Sequence, residues 1–223
     1  MARGHSLSWM SSNTDFRLTE NENESVASSS HGQISVLIVS TSLDPQSQSR
    51  FLAFDAARRL EGRGVCVQLV DLRQTPLPAF DNAAAHDSHE VIELKRSIVQ
   101  ADAVIIAAPV YNWSLGSASK NMVEVTGATG ENGRKAAWFD KFVTFLCAGG
   151  LPHSYTAYTA LASSMTLDFK CIINPYMVYA TGRDNADEAL SLAASQRMEK
   201  TLDVALELAA RLKGRTYSSD WEI

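Results

Sequence analysis

The stretch Asp102-Ala103-Val104-Ile105-Ile106-Ala107-Ala108-Pro109-Val110-Tyr111-Asn112-Trp113-Ser114 decides the fold of this chain. Its first half is a continuous apolar run, which is how a parallel strand buried on both faces reads. Proline cannot donate to a strand ladder, so Pro109 is expected to end the strand. A short loop with a phenol, an amide and an indole follows, and then Lys120-Asn121 on a helix. Ligands of open α/β sheets bind in the crevice beyond the carboxyl ends of the strands. A flat aromatic ligand would find stacking surface and hydrogen bonds there. An ordinary strand-to-helix turn with a packed Tyr111 and Trp113 has the same sequence, so the neighbouring loops must decide.

Outward from this stretch the chain alternates between strand and helix patterns. Toward the N-terminus, a strand from Ile34 to Ser40 precedes a helix through Phe51, Leu52, Ala56 and Leu60 that stops near Gly62 and Gly64. A second strand, Val65 to Val70, leads through a polar loop with Pro76 and Pro78 to a helix from about Ser88 to Gln100. Toward the C-terminus, a helix near Ser117–Thr126 and a glycine-rich loop, Gly127 to Gly133, precede the strand Phe142–Cys147. A helix through Tyr155 to Leu167, a strand near Cys171–Tyr179 interrupted by Pro175, and a last helix follow. That helix carries Met198, Leu202, Ala205, Ala209 and Leu212 on one face. Five strands alternating with five helices predict a doubly wound parallel sheet with right-handed crossovers and helices on both faces.

Composition narrows the function. At 223 residues, with 45% apolar and 20% charged residues, one soluble globular domain is the expectation. The net charge of −5 and the lack of a basic stripe argue against nucleic acid. No apolar run reaches the ~18 residues of a membrane span. Cys66, Cys147 and Cys171 are spaced for neither zinc nor a redox pair, and read as small buried hydrophobes of a reducing, cytoplasmic compartment. His86 and His89 lack a third ligand, and Asp87-Ser88 between them reads as a helix start rather than a metal site. Residues 1–32, rich in Ser, Asn and Glu, read as a disordered extension without a signal-peptide core. Residues 33–223 read as the folded domain.

Three loops follow strands one, three and four. The first, Ser40-Thr41-Ser42-Leu43-Asp44-Pro45-Gln46-Ser47-Gln48-Ser49-Arg50, is rich in hydroxyls and feeds a helix N-terminus. It reads either as a monophosphate cradle or as a capped helix start, with Asp44 as N-cap and Pro45 at the first helical position. It is neither a dinucleotide fingerprint nor a Walker A loop. The second is Pro109–Ser114. The third is Ala148-Gly149-Gly150-Leu151-Pro152-His153, whose glycines allow close backbone approach to a ligand. In the flavodoxin-like order 2-1-3-4-5 these strands are neighbours at the switch point where FMN binds.

From about Ile34 to Leu212 the chain resembles the NAD(P)H-dependent FMN reductase family. Its phosphate loop, Gly-Ser-Leu-Arg-x-x-Ser-x-Asn, is similar to Thr41-Ser42-Leu43-Asp44 followed by Ser47 and Ser49. Its flavin-ring motif, Pro-Glu-Tyr-Asn and then Lys-Asn, resembles Pro109-Val110-Tyr111-Asn112 and Lys120-Asn121, and Gly149-Gly150 resembles its third flavin loop. Asp44 replaces the family arginine, Ser49 its asparagine, Val110 its glutamate, and Trp113 a small residue. The resemblance implies FMN held by Ser42, Ser47, Ser49, Pro109, Val110, Tyr111, Asn112, Trp113, Gly149 and Gly150. It also implies NAD(P)H as hydride donor, a small-molecule electron acceptor, and a homodimer or homotetramer covering the flavin. Quinone, azo-dye or metal-oxyanion reduction on the same FMN, a flavin electron carrier, and a non-catalytic binding module are the alternatives. No catalytic side chain is required, because the cofactor carries the chemistry.

Overall fold

The computed structural model describes residues 33–127, 136–186 and 189–215, all within a compact unit from His31 to Ile223. The N-terminal extension and the glycine-rich loop after Gly127 lie outside the described residues. Strand β1 (Ser35–Ser40) pairs in parallel with β2 (Cys66–Asp71) on one side and β3 (Ala103–Tyr111) on the other. Beyond β3 lies β5 (Phe142–Ala148), also parallel. The outermost strand comes in two pieces, β6 (Ile172–Ile173) and β7 (Val178–Ala180), both parallel to β5. The predicted order 2-1-3-4-5 is therefore present, with the fifth strand broken around Pro175.

Side-chain alternation divides the core in two. Val36 and Ile38 of β1 point toward α1 (Gln48–Glu61) and α5 (Leu192–Leu212), where they meet Leu52, Ala56, Met198 and Leu202. Leu37 and Val39 point to the opposite face. There they meet Leu94 and Ile98 of α2 (His89–Gln100), Met122 of α3 (Ser117–Gly127) and Met165 of α4 (Thr159–Phe169). Each such aliphatic side chain, once fully buried, contributes about 1.5–3 kcal/mol relative to exposure. Arg59 of α1 and Arg63 in the turn just beyond it reach Glu199 on α5, and Arg63 also meets Asp203 at 2.9 Å, so ion pairs fasten the two helices covering one face.

Three local expectations are corrected. Pro109 does not end β3, which continues to Tyr111, with Pro109 in register with Ala148. Thr41 N–H donates to the Ala107 carbonyl at 2.9 Å as β1 finishes, so Pro109, two residues further, needs no N–H on that side. The antiparallel β4 (Ser114–Leu115) folds back there instead, and Gly116 N–H donates to the Pro109 carbonyl at 2.8 Å. Cys66 is exposed on edge strand β2, whereas Cys147 and Cys171 are buried as expected, their thiols pushed up to about 12 by burial. Tyr155 belongs to a 3-10 segment, Pro152–Tyr158, that precedes α4. A two-stranded ribbon of β8 (Asn185–Ala186) and β9 (Ala189–Leu190) precedes α5.

Candidate functional site

The first loop ends later than the sequence suggested. The N-cap of α1 is Ser47, whose Oγ accepts from Arg50 N–H at 3.2 Å, so the helix begins at Gln48. Asp44 is not the cap. Its Oδ1 accepts from Gln46 N–H at 2.9 Å, a local turn closed across Pro45, which keeps the carboxylate within its own loop. Ser42 is buried, and its Oγ accepts from Asp44 N–H at 3.3 Å, leaving the hydroxyl proton as a donor. Ser47 Oγ and Ser49 Oγ lie 2.9 Å apart. One hydroxyl proton is used between them, and the fully buried Ser49 thus supports the half-buried Ser47 at the helix mouth.

Charge around this loop is already partnered. Arg50 Nε donates to Asp71 Oδ2 at 2.7 Å, and its guanidinium lies 4.6 Å from the Phe54 ring centre. Asp71, buried at the end of β2, therefore neutralises the one cation that adjoins the loop in sequence. Anion binding here falls to hydroxyls at the positive end of the α1 dipole. Thr41 Oγ1 and Ser119 Oγ, 2.7 Å apart and both buried, lock the base of the loop to α3.

The second loop is a two-residue hairpin between β3 and β4, with Val110 opposite Leu115 and Tyr111 opposite Ser114. Asn112 and Trp113 form its turn at φ 50° and 63°. Positive φ at both central positions matches a type I′ turn, which favours asparagine and then glycine. A tryptophan in the second place stores strain on the order of 1–3 kcal/mol. Tyr111 and Trp113 are more than half exposed, while Val110 is buried beneath them. Lys120 pairs with Glu124 at 3.0 Å. Asn121 does not face the hairpin: its amide accepts from Phe80 N–H at 2.8 Å and donates to the Pro78 carbonyl at 2.9 Å, holding the loop after β2 against α3.

The third loop meets the second. Trp113 stacks on His153, and a Cβ added to Gly149 would come within 3.1 Å of Val110 Cβ. That same Cβ would lie 2.5 Å from Tyr179 Oη, so Gly149 is glycine because Val110 and Tyr179 fill the space beside it. Gly150 differs: a Cβ there would meet nothing within 4 Å, so its backbone borders open space. Tyr179, Asp71 and Ser119 lie outside the three loop sequences. No local motif marks them, since each contributes through strand or helix neighbours that only the fold supplies.

A flat ligand with one phosphate fits this arrangement. The hydroxyl-lined mouth of α1 suits the phosphate, and the exposed hairpin and open Gly150 border a surface for a ring. Leu43, Leu151 and Tyr155, all more than half exposed, extend the apolar rim around the loops. Among the described residues no cluster of metal-ligating side chains occurs, and no helix is long and apolar enough to cross a membrane.

Known proteins resemble this chain in sequence and fold. Residues 34–184 match the NADPH-dependent FMN reductase family. An FMN-dependent NADH:quinone oxidoreductase from Haemophilus influenzae is 28% identical over 194 residues, covering 78% of this chain and 98% of that protein. Another of the same description, from Methylorubrum populi, is 30% identical over 199 residues, covering 77% and 94%. The structure of a flavoenzyme NAD(P)H:(acceptor) oxidoreductase from Paracoccus denitrificans shares the fold at a TM-score of 0.66 and 18% identity, covering 80% of this chain and 98% of that one.

Proposed function

Because the chain belongs to the NADPH-dependent FMN reductase family, we propose that it is an oxidoreductase that takes hydride from NAD(P)H onto FMN and delivers the electrons to a small quinone-type acceptor. The observation that carries this reading is the meeting of the hairpin and the Gly149-Gly150 loop beside a hydroxyl-lined helix mouth. FMN supplies the redox chemistry by accepting hydride and releasing electrons to the acceptor. The protein's residues bind and orient.

Ser42 and Ser47 would donate to the phosphate at the positive end of α1, while Ser49 holds Ser47 in place. Pro109, Val110, Tyr111, Asn112 and Trp113 form the platform beside the ring, and Gly149 and Gly150 its far edge. The quinone-type acceptor is supported by the relatives from Haemophilus influenzae and Methylorubrum populi, which are FMN-dependent NADH:quinone oxidoreductases. Azo-dye or metal-oxyanion reduction would use the same residues. The domain that carries the activity is residues 33–223. Three free cysteines are consistent with a reducing, cytoplasmic setting.

A second copy covers the site in this reading. Tyr111, Trp113, Leu151 and Tyr155 leave large apolar side chains exposed on the second and third loops and the segment after them, the kind of surface an interface buries. A homodimer or homotetramer with closed symmetry satisfies it, and light scattering on the full chain measures it. Purification tests the function: the protein should carry or take up a flavin that is identified as FMN after denaturation. Colourless protein whose melting temperature ignores saturating FMN contradicts the reading.

A further inference from the structure

We propose that Tyr179 is a positioning residue that fixes the Gly149–Leu151 turn at the edge of the flavin site, an assignment that rests on the flavin reading above. Tyr179 lies on β7, paired with Cys147 of β5. Its side chain reaches past the strand end, where Oη donates to the Leu151 carbonyl at 2.6 Å. Ser154, buried at the start of the next helical segment, hydrogen-bonds the same phenol, and burial pushes the phenol's pKa up. The hydroxyl thus stays a protonated donor across the neutral range and keeps its grip on the turn.

Two further contacts show that the turn is built around this ring. Gly149 N–H donates to the Ala180 carbonyl at 3.0 Å, anchoring the start of the turn to the residue after Tyr179. The 2.5 Å approach of Tyr179 Oη to a Cβ at position 149 means that the phenol occupies the space a side chain would take. Val110, in the flavin-ring hairpin, also borders that space, its Cβ within 3.1 Å. The turn is therefore packed against both residues, and the Leu151 carbonyl is held toward β7. With that carbonyl turned to the phenol, the backbone at Gly150 is left bordering the open site. Tyr179 acts on the flavin only through this turn.

The test uses Tyr179→Phe, Gly149→Ala and the double variant in the full chain. Tyr179→Phe keeps the ring and removes the hydrogen bond. FMN should bind about 3- to 10-fold more weakly, the range a single hydrogen bond supports, with an altered visible spectrum of the bound flavin. Gly149→Ala should weaken FMN further. In the double variant the alanine should cost less than in the wild-type background, because the colliding oxygen is gone. Hydrogen exchange of the flavin-free protein at the Gly149 amide, bonded to the Ala180 carbonyl, and at the Ser154 amide, bonded to the Leu151 carbonyl, supplies a readout independent of FMN, and Tyr179→Phe should accelerate it. Unchanged exchange in Tyr179→Phe overturns the assignment, as does unchanged FMN affinity and spectrum. If wild-type protein takes up no FMN, the functional reading falls, and the exchange measurement alone decides whether Tyr179 positions the turn.

Discussion

Trp113 stacks on His153, their ring centres 5.6 Å apart and their planes inclined by 29°, so that the hairpin after β3 is tied to the loop after β5. Both residues lie at the surface, and the indole is held there by a backbone turn at φ 63° that glycine would occupy without strain. The aromatic pair is kept at an energetic cost, which points to a use for the indole in the site. Trp113→Gly separates the two effects. Relief of strain offsets the lost stacking, worth about 0.5–1.5 kcal/mol, so the melting temperature should hold or rise. The KM for a planar quinone should rise severalfold at the same time. A fall in stability with an unchanged KM would make Trp113 a purely structural residue.

The helix cap gives a second outcome. Ser47→Ala removes the hydroxyl that caps α1, which should lower stability by about 1 kcal/mol. Its effect on ligands should depend on the phosphate. Titration with FMN should show weaker binding, while riboflavin, which lacks the phosphate, should bind as it does to the wild type. Equal losses for both ligands would place the phosphate elsewhere.

Asp44 behaves differently because it caps nothing. Asp44→Ala should change stability by less than about 0.5 kcal/mol, the range for surface positions. Asp44→Arg replaces a negative charge beside the phosphate loop with a positive one and should tighten FMN severalfold. Melting curves and FMN titrations of both variants check this. A loss near 1 kcal/mol in Asp44→Ala would return the cap to Asp44.

Most of the sheet was legible in the sequence because buried parallel strands are continuous apolar runs. β1, β3 and β5 fall where those runs lie, and Pro175 marks the break in the last strand. The site was legible in part. Ser42, Ser47 and Ser49 stand out as hydroxyls before a helix, but only the fold shows Ser49 buried behind Ser47. The hairpin at Asn112-Trp113 was hidden because tryptophan is an unusual residue for its turn, and Pro109 resembled a strand end. Tyr179 was invisible because its contact with Leu151 spans 28 residues and depends on β7 lying beside β5.

At the opposite end of the sheet, Asp102 ties three segments together. Its Oδ2 accepts from Ser35 N–H at 2.8 Å, from Ser35 Oγ at 3.0 Å and from Lys213 Nζ at 3.0 Å. Burial alone raises this carboxyl's pKa, but Ser35 and Lys213 outweigh it and hold Asp102 below the usual carboxylate range. A carboxyl with a lowered folded pKa stabilises the fold fully above its unfolded value of ~3.9 and loses that contribution as pH falls through the folded value. Asp102→Asn should therefore cost on the order of 1–2 kcal/mol at pH 7, and the difference from wild type should shrink as pH falls below the unfolded value of ~3.9 and on through the lowered folded value. FMN affinity at pH 7 should not change. Denaturant melts across pH check the first outcome. A difference that persists in acid would remove the charge from the explanation.

As an FMN-dependent NAD(P)H oxidoreductase, this chain moves electrons from a nicotinamide through FMN to an acceptor. Anaerobic mixing of the FMN-loaded full chain with NADH or NADPH, followed by addition of a quinone, tests it most directly. The bound flavin's absorbance should bleach on the first addition and return on the second, with the quinone reduced in equal amount. Flavin that stays oxidised with both nucleotides, on protein that binds FMN tightly, would contradict it.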